Sequence, residues 1–157
     1  MTLSLQTASE FLWAEADMLD RRAYDDWLNI WTDDGLYIVP IERGAEDYAD
    51  VLNYAYDDAK MRDMRVRRLK SSFSMSALTA SSTVRTVSRF VVLGQTDDEI
   101  QLRAAQHLAD YRRDNLRMLA ADLDVTLRQT DEGIKIARKV VTLVNCEDAL
   151  NGIGYLL

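Results

Sequence analysis

LAADLDVTLR, the ten residues from Leu119 to Arg128, shows the clearest structural pattern in the chain. Its apolar residues are Leu119, Ala121, Leu123, Val125 and Leu127, and they alternate with Asp122, Asp124, Thr126 and Arg128. Because successive side chains of a β-strand point to opposite faces of a sheet, this alternation predicts a strand with one buried and one polar face.

Three further strands are predicted around this one. They cover Thr83–Gln95, Ile100–Tyr111 and Ile134–Asn145. The intervening sequences Thr96-Asp97-Asp98, Arg113-Asp114-Asn115 and Asp131-Glu132-Gly133 contain residues that favour tight turns. The second half of the chain is therefore expected to form long antiparallel strands.

The first half begins with helical periodicity. Apolar residues recur at helical spacing over Ser9–Arg22 and again over Ala23–Trp31, which predicts two helices. Asp33-Asp34-Gly35 is expected to end the second helix in a turn. A short strand is predicted over Leu36–Ile41, and Pro40 is expected to place the end of that strand at a sheet edge.

The middle of the chain predicts a second short strand over Ala49–Tyr56 and a helix that Asp57 or Asp58 caps and that ends near Leu69. Ser71–Ser82 is expected to be a polar connection with one short helical turn at most. Helices followed by a run of strands indicate an α+β fold, with the helices on one face of a curved antiparallel sheet. Residues 1–157 are expected to form a single domain.

Composition limits the class of protein. The chain has 157 residues, of which 48% are hydrophobic and 29% charged, and its formal charge is −7. These values are ordinary for a folded globular domain, and the acidic balance argues against nucleic acid as a partner. Neither a secretory signal nor an apolar run long enough to span a bilayer is visible, so a cytoplasmic protein is expected.

The chain has one histidine, His107, and one cysteine, Cys146. A structural zinc site needs about four Cys or His ligands, and a non-haem iron facial triad needs two histidines and a carboxylate. A Rieske cluster needs two cysteines and two histidines. We therefore predict no catalytic, cofactor-binding or metal-ligating residues in this chain, and no disulfide within it.

Single residues with acid–base or nucleophilic potential have ordinary explanations. His107 shares a strand face with Arg103 and Tyr111, which favours a surface or interface role over catalysis. The adjacent acids Asp33 and Asp34 are more consistent with a solvated turn than with a catalytic pair. Cys146 precedes Glu147 and Asp148, which disfavour a reactive thiolate, so a small buried or edge residue is expected.

The charges are unevenly distributed. Residues 1–59 contain 14 acids and 3 bases, whereas residues 60–157 contain 12 acids and 16 bases. Lys60–Lys70 is a dense basic stretch with two interpretations. Its arginines could pair with Asp57, Asp58 and Asp63 on a solvated helix, or they could form a docking surface for an acidic protein face. The three tryptophans, all before residue 32, are expected to pack helices onto the sheet.

Four stretches resemble a known family. They are FLWAEADMLDRRAYDDWLNIWTDDGLYIVP (Phe11–Pro40), YAYDDAKMRDMRVRRL (Tyr54–Leu69), SSTVRTVSRFVV (Ser81–Val92) and LRQTDEGIKIARKVVTLVN (Leu127–Asn145). In this order, and with Leu156-Leu157 at the end, they resemble the small (β) subunit of bacterial aromatic-ring-hydroxylating dioxygenases. One departure is Thr83-Val84, where members of the family often carry proline.

The resemblance implies a cone-shaped, nuclear-transport-factor-2-like (NTF2-like, cystatin-like) fold with the N-terminal helices on the concave face of a mixed sheet. It implies a non-catalytic, structural β subunit that supports an α subunit in aromatic-compound catabolism. In this family the α subunit holds a Rieske 2Fe-2S cluster and a mononuclear Fe(II), and a separate reductase supplies electrons from NAD(P)H. Three α and three β subunits are expected to assemble, and Lys60–Lys70 and the outer faces of the long strands are expected to contribute contacts.

Two alternatives stay open at this point. One is a stand-alone, metal-free dehydratase or isomerase that resembles the ketosteroid isomerase and scytalone dehydratase groups, with Asp33, Tyr37, His107 and Tyr111 as candidate proton-transfer residues. A cone filled by side chains would argue against it. The other is a homo-oligomeric binding module without a redox partner.

Overall fold

The fold is seen in a computed structural model that describes residues 3–75, 81–148, 150 and 153–157. The helices are α1 (Leu5–Asp20), α2 (Tyr24–Asn29) and α3 (Ala59–Met75). The strands are β1 (Trp31–Pro40), β2 (Asn53–Asp57), β3 (Ser82–Gln95), β4 (Glu99–Arg112), β5 (Asn115–Thr130) and β6 (Gly133–Leu143), and a 3-10 turn, Tyr48–Asp50, precedes β2. The predicted α+β class is confirmed.

The described strands form one six-stranded sheet in the order β2-β1-β6-β5-β4-β3. Neighbouring strands are antiparallel, except that β1 runs parallel to β6. Arg113 and Asp114 both have positive φ between β4 and β5, which is the geometry of a two-residue hairpin turn. The chain also turns at Gly133, with φ of +107°, where β6 begins. The predicted hairpins are confirmed.

Pairing in the sheet separates an inner face, which meets the helices, from an outer face. Leu123 lies opposite Ala104 on β4 and Val141 on β6, and all three are buried. The five alternating apolar residues predicted to share one face of β5, from Leu119 to Leu127, are all buried as well. The period-two pattern therefore identified the inner face correctly.

Helix α1 covers the inner face and packs chiefly against β3. Ser4 caps the start of this helix, and its hydroxyl accepts a hydrogen bond from the Thr7 amide. Its inward side carries Ala8, Leu12, Ala16 and Leu19, which join the strand residues in the apolar core. Removing this apolar stripe from water is the main stabilising contribution of the helix.

The predicted turn at Asp33-Asp34-Gly35 is wrong. These residues lie inside β1, which begins at Trp31, directly after α2. Trp31 pairs with Ile136 and Leu36 pairs with Arg138, so residues 32–35 lie opposite a single residue of β6. The polar, glycine-containing sequence thus forms a bulge within a strand, because pairing with β6 holds both of its ends.

Other boundaries shift by smaller amounts. β2 is shorter than the predicted strand, because Tyr48–Asp50 forms the 3-10 turn. Pro40 ends β1, but β1 lies between β2 and β6 and is not an edge strand. Asp58 caps α3, since its carboxylate accepts a hydrogen bond from the Met61 amide at 2.9 Å. α3 continues to Met75, beyond the predicted end, and residues 76–80 of the predicted polar connection lie outside the described part of the chain.

Candidate functional site

An aromatic cluster lies in the core between the helices and the sheet. Trp27, Trp31 and Tyr37 are buried and meet edge to face, with ring centroids 5.2 to 6.1 Å apart. The expected packing role of these two tryptophans is confirmed. Trp13 is half exposed, but it too joins a helix to the sheet: on α1, it meets the edge of Phe90 and donates its indole N–H to the Val87 carbonyl on β3 at 2.8 Å.

A buried ion pair lies beside this cluster. The Lys139 Nζ is 2.8 Å from the Glu15 Oε1, and the Trp27 Nε1 donates to the same oxygen at 3.0 Å. Burial lowers the pKa of Lys139, and the adjacent Glu15 carboxylate opposes that shift. With its polar atoms paired inside the core, this group joins α1, α2 and β6.

Two further buried charge groups hold the C-terminal residues. The Arg85 guanidinium forms an ion pair with Asp20 at 2.6 Å and also donates to the Leu156 carbonyl. The Asp110 carboxylate accepts hydrogen bonds from the Tyr155 hydroxyl at 2.7 Å and from Arg117 at 2.8 Å. Burial raises the pKa of Asp110, but these hydrogen bonds outweigh it and hold the pKa below its usual value.

The basic stretch has more than one environment. Arg62 is buried, stacks 4.3 Å from the centre of the Trp31 ring, and donates to the Gly35, Asp57 and Thr32 carbonyls. Arg65 forms a two-point ion pair with the buried Asp57 carboxylate. These two arginines hold α3 against β1 and β2, so neither is part of a solvated helix face.

A cleft of about 270 Å³ opens next to Arg65, between β1, β2 and the C-terminal residues. Its lining includes Tyr37, Tyr54, Arg65 and Tyr155. The Tyr37 hydroxyl exchanges hydrogen bonds with the backbone of Leu157, and burial raises the pKa of Tyr37 to about 12. A phenol so paired is poorly suited to proton transfer near neutral pH.

The four residues of the isomerase alternative do not converge on this cleft. Tyr37 faces it, whereas Asp33 is exposed on the β1 bulge. His107 and Tyr111 are exposed on the outer face of β4, and the Tyr111 hydroxyl lies 3.0 Å from the Asp114 carboxylate. The structure therefore offers no shared site for these groups.

Asp34 lies in a second, open cleft of about 440 Å³ that Arg128, Glu132 and Lys135 also line. Hydrogen bonds from the Thr32 hydroxyl and from Arg128 lower the pKa of Asp34. Arg128 also pairs with Glu99 at 2.6 Å. Of the two acids that the sequence marked as a solvated turn, Asp34 is thus an ion-paired surface group and Asp33 is exposed.

Cys146 is a free, buried residue just after β6, as predicted. In the part of the chain that the structure describes, no group of three or more His, Cys, Asp and Glu residues is placed to hold a metal ion. None of the described helices is both long and apolar enough to cross a membrane.

Sequence reasoning missed an apolar area on the outer face, which we call the outer patch. It consists of Val84, Tyr111, Leu116, Met118 and Val144. Tyr111 pairs with Leu116, and Ala109 pairs with both Val84 and Met118, so these four apolar side chains lie in adjacent rows across β3, β4 and β5. Val144 follows β6, and its amide donates to the Ala120 carbonyl of β5. The available signal was that Leu116 and Met118 are apolar at positions whose alternation with Leu119 points them outward.

Comparison with known proteins gives the chain a family. Residues 14–147 match the family model described as the ring hydroxylating beta subunit. Over an alignment of 169 positions, the chain is 31% identical to a benzene 1,2-dioxygenase subunit beta from Pseudomonas putida, with 99% of this chain and 90% of that protein covered.

Solved structures share the fold. The β subunit of the benzoate 1,2-dioxygenase from Burkholderia mallei superimposes with a TM-score of 0.84 at 22% identity, covering 99% of both chains. An NTF2-like protein with a cystatin-like fold from Novosphingobium aromaticivorans gives a TM-score of 0.64 at 16% identity, covering 92% of this chain and 82% of the other. The expected NTF2-like fold is confirmed.

The two iron centres that the family resemblance assigns to the large subunit have too few possible ligands in this chain. One histidine and one cysteine supply half the ligands of a Rieske cluster and half the histidines of a facial triad. The core beside the inner face of the sheet instead holds the aromatic cluster and the Glu15–Lys139 pair.

The family model matches residues 14–147, which is most of this chain. The chain therefore belongs to the ring hydroxylating beta subunit family.

Proposed function

We propose that this chain is the supporting small subunit of a dioxygenase complex that adds O2 to an aromatic ring in aromatic-compound catabolism. The family match over residues 14–147 carries the proposal. Relatives are named as subunits of benzene 1,2-dioxygenase and 2-halobenzoate 1,2-dioxygenase, so the substrate class is a small aromatic compound. The chain contributes structure to the complex, and its partner contributes the chemistry.

The partner is a large (α) subunit that holds the Rieske 2Fe-2S cluster and the mononuclear Fe(II), with electrons from NAD(P)H through a separate reductase. The number of possible ligands supports placing both iron centres in the large subunit, because a chain with one histidine and one cysteine has too few ligands for either centre. We place the complex in the cytoplasm.

We assign the outer patch to self-association of this subunit as a trimer, within an assembly of three large and three small subunits. Its exposed residues form an apolar area across three strands, and the fully buried centres of subunit interfaces are enriched in apolar side chains. Leu116 is 68% and Val84 66% exposed in the isolated chain. A second copy would remove this area from water.

We further propose that residues 1–157 act as one domain. Among the described residues, one apolar core contains residues from Leu3 to Leu157 and draws on α1, α3 and the long strands. Both ends of the chain are thus tied to the same core.

Affinity purification of the tagged chain from its native cytosol tests the proposal. Iron and acid-labile sulfide are measured in the co-purifying material, and the partner is identified by mass. A larger chain in equal amount that carries both supports the dioxygenase assignment. A homo-oligomer with neither iron nor sulfide contradicts it.

A further inference from the structure

The outward face of α3 combines exposed basic and apolar side chains. Lys60, Met61, Met64, Arg67 and Arg68 are all exposed, and their spacing places them on one stripe of the helix. The opposite side of α3 is buried through Arg62 and Val66. We call the exposed stripe the α3 face.

The charges of the α3 face are only partly neutralised within the chain. Elsewhere on this helix Arg65 pairs with Asp57, and Lys70 pairs with Asp25. On the stripe itself Arg67 pairs with Asp63 at 2.8 Å. In the described part of the chain, Lys60 and Arg68 lie in no ion pair with a carboxylate. The stripe is thus net positive on a chain whose overall charge is −7.

Two methionines lie among these charges. Met61 is 47% and Met64 is 51% exposed. A solvated helix accounts for the lysine and arginines but gains nothing from exposed methionines. Methionine and arginine are both enriched in protein–protein interfaces, and the flexible thioether adapts to a partner's shape.

We propose that the α3 face docks an acidic surface of the large subunit, with Met61 and Met64 packing against apolar side chains at its centre. This inference rests on the proposed function. Charge complementarity selects the partner, because a positive stripe on an acidic chain favours an acidic face. α3 packs on the inner side of the sheet, so self-association through the outer patch leaves the α3 face available for a different chain.

The test measures binding of the purified large subunit to full-length small subunit. The variants are Arg68→Glu and the double variant Lys60→Glu with Arg68→Glu. Arg21→Glu is the matched control, because Arg21 is an exposed arginine at the end of α1, away from the α3 face, and the charge change is the same. Self-association of each variant is measured separately by sedimentation without the large subunit.

We expect Arg68→Glu to weaken binding roughly tenfold and the double variant to weaken it further, with a smaller dependence on salt than in the wild type. Arg21→Glu should bind as the wild type does. Equal binding by all variants overturns the inference and leaves the proposed function intact. A loss of self-association in the Arg68→Glu variant also overturns it, because the face would then contact a second copy. A wild-type chain that binds no iron-containing large subunit overturns both proposals.

Discussion

Lys139 on β6 and Glu15 on α1 form an ion pair in the interior of the molecule, with the Nζ 2.8 Å from the Oε1 and both side chains at most 3% exposed. The two residues are 124 positions apart in sequence. Either charge buried alone would have neither water nor a countercharge. The pair therefore stabilises the contact between α1 and β6 only when both residues are present.

Lys139→Met should lower the free energy of unfolding by about 3–5 kcal/mol, because it leaves the Glu15 carboxylate buried without a countercharge. Adding Glu15→Gln should recover most of that loss, since the amide oxygen still accepts the Trp27 N–H. Urea unfolding of the two variants and the wild type measures this. Equal losses in the single and double variants would contradict the explanation.

Asp110 should make stability depend on acid pH. Its pKa is lower in the folded chain than in the unfolded one, so its contribution is complete above about pH 4 and is lost as the pH falls through the folded-state pKa. Asp110→Asn should lower the free energy of unfolding by about 1–3 kcal/mol at pH 7. The difference in unfolding free energy between variant and wild type should become smaller below about pH 4, as measured by urea unfolding at several pH values. A gap independent of pH would rule out the carboxylate as its source.

Gly35 is placed where a side chain does not fit. A Cβ atom there would lie 2.9 Å from the Ile136 carbonyl oxygen and 3.0 Å from the Thr32 oxygen. Because these are backbone atoms at the β1 bulge, Gly35→Ala should destabilise the chain by about 1–3 kcal/mol. Gly94→Ala is the control, since its Cβ would meet only the Gln101 side chain at 4.0 Å. Thermal unfolding measures the midpoint of each variant, and an equal fall in the midpoint for both variants would contradict this account.

Tyr37→Phe separates a structural role from a catalytic one. The change removes the hydroxyl that pairs with the Leu157 backbone, so the unfolding free energy should fall by about 1–3 kcal/mol. Turnover of the assembled dioxygenase should stay unchanged, because the proposed chemistry belongs to the large subunit. Loss of turnover with assembly intact would revive the idea of an acid–base role for Tyr37.

Met118→Asp should abolish self-association while leaving the fold intact. Met118 is 60% exposed, so the isolated chain tolerates the change, but a buried carboxylate at an apolar interface is costly. Sedimentation should show a monomer with an unchanged circular dichroism spectrum. Leu52→Asp is the matched control, because Leu52 is 79% exposed outside the outer patch. A Met118→Asp trimer would place the interface elsewhere.

The order and type of most elements were predictable from local patterns. Alternation in β5 identified its buried face, and acidic or glycine-containing sequences marked the hairpin turns. A capping acid marked the start of α3 at Asp58. These features depend on residues close together in sequence, which is why inspection of the chain found them.

The bulge at residues 32–35 was not predictable in the same way. Asp33-Asp34-Gly35 has the composition of a turn, and only the parallel pairing of β1 with β6 keeps it inside a strand. The same limit applies to Arg62, which belongs to a basic stretch but is buried against Trp31. In both cases a partner far away in sequence determines the outcome.

Residue counts were sufficient to show that one histidine and one cysteine are too few for a Rieske cluster or a two-histidine facial triad. Periodicity was sufficient to assign most helices and strands and the buried face of β5, because side-chain direction is a local property. Which charges are buried and which are exposed depended on the folded arrangement. Arg62 and Arg68 are six residues apart in one basic stretch, yet one lies in the core and the other on the surface. The orientation of α3 about its own axis makes that distinction, because only the side of the helix that meets the core gains packing energy.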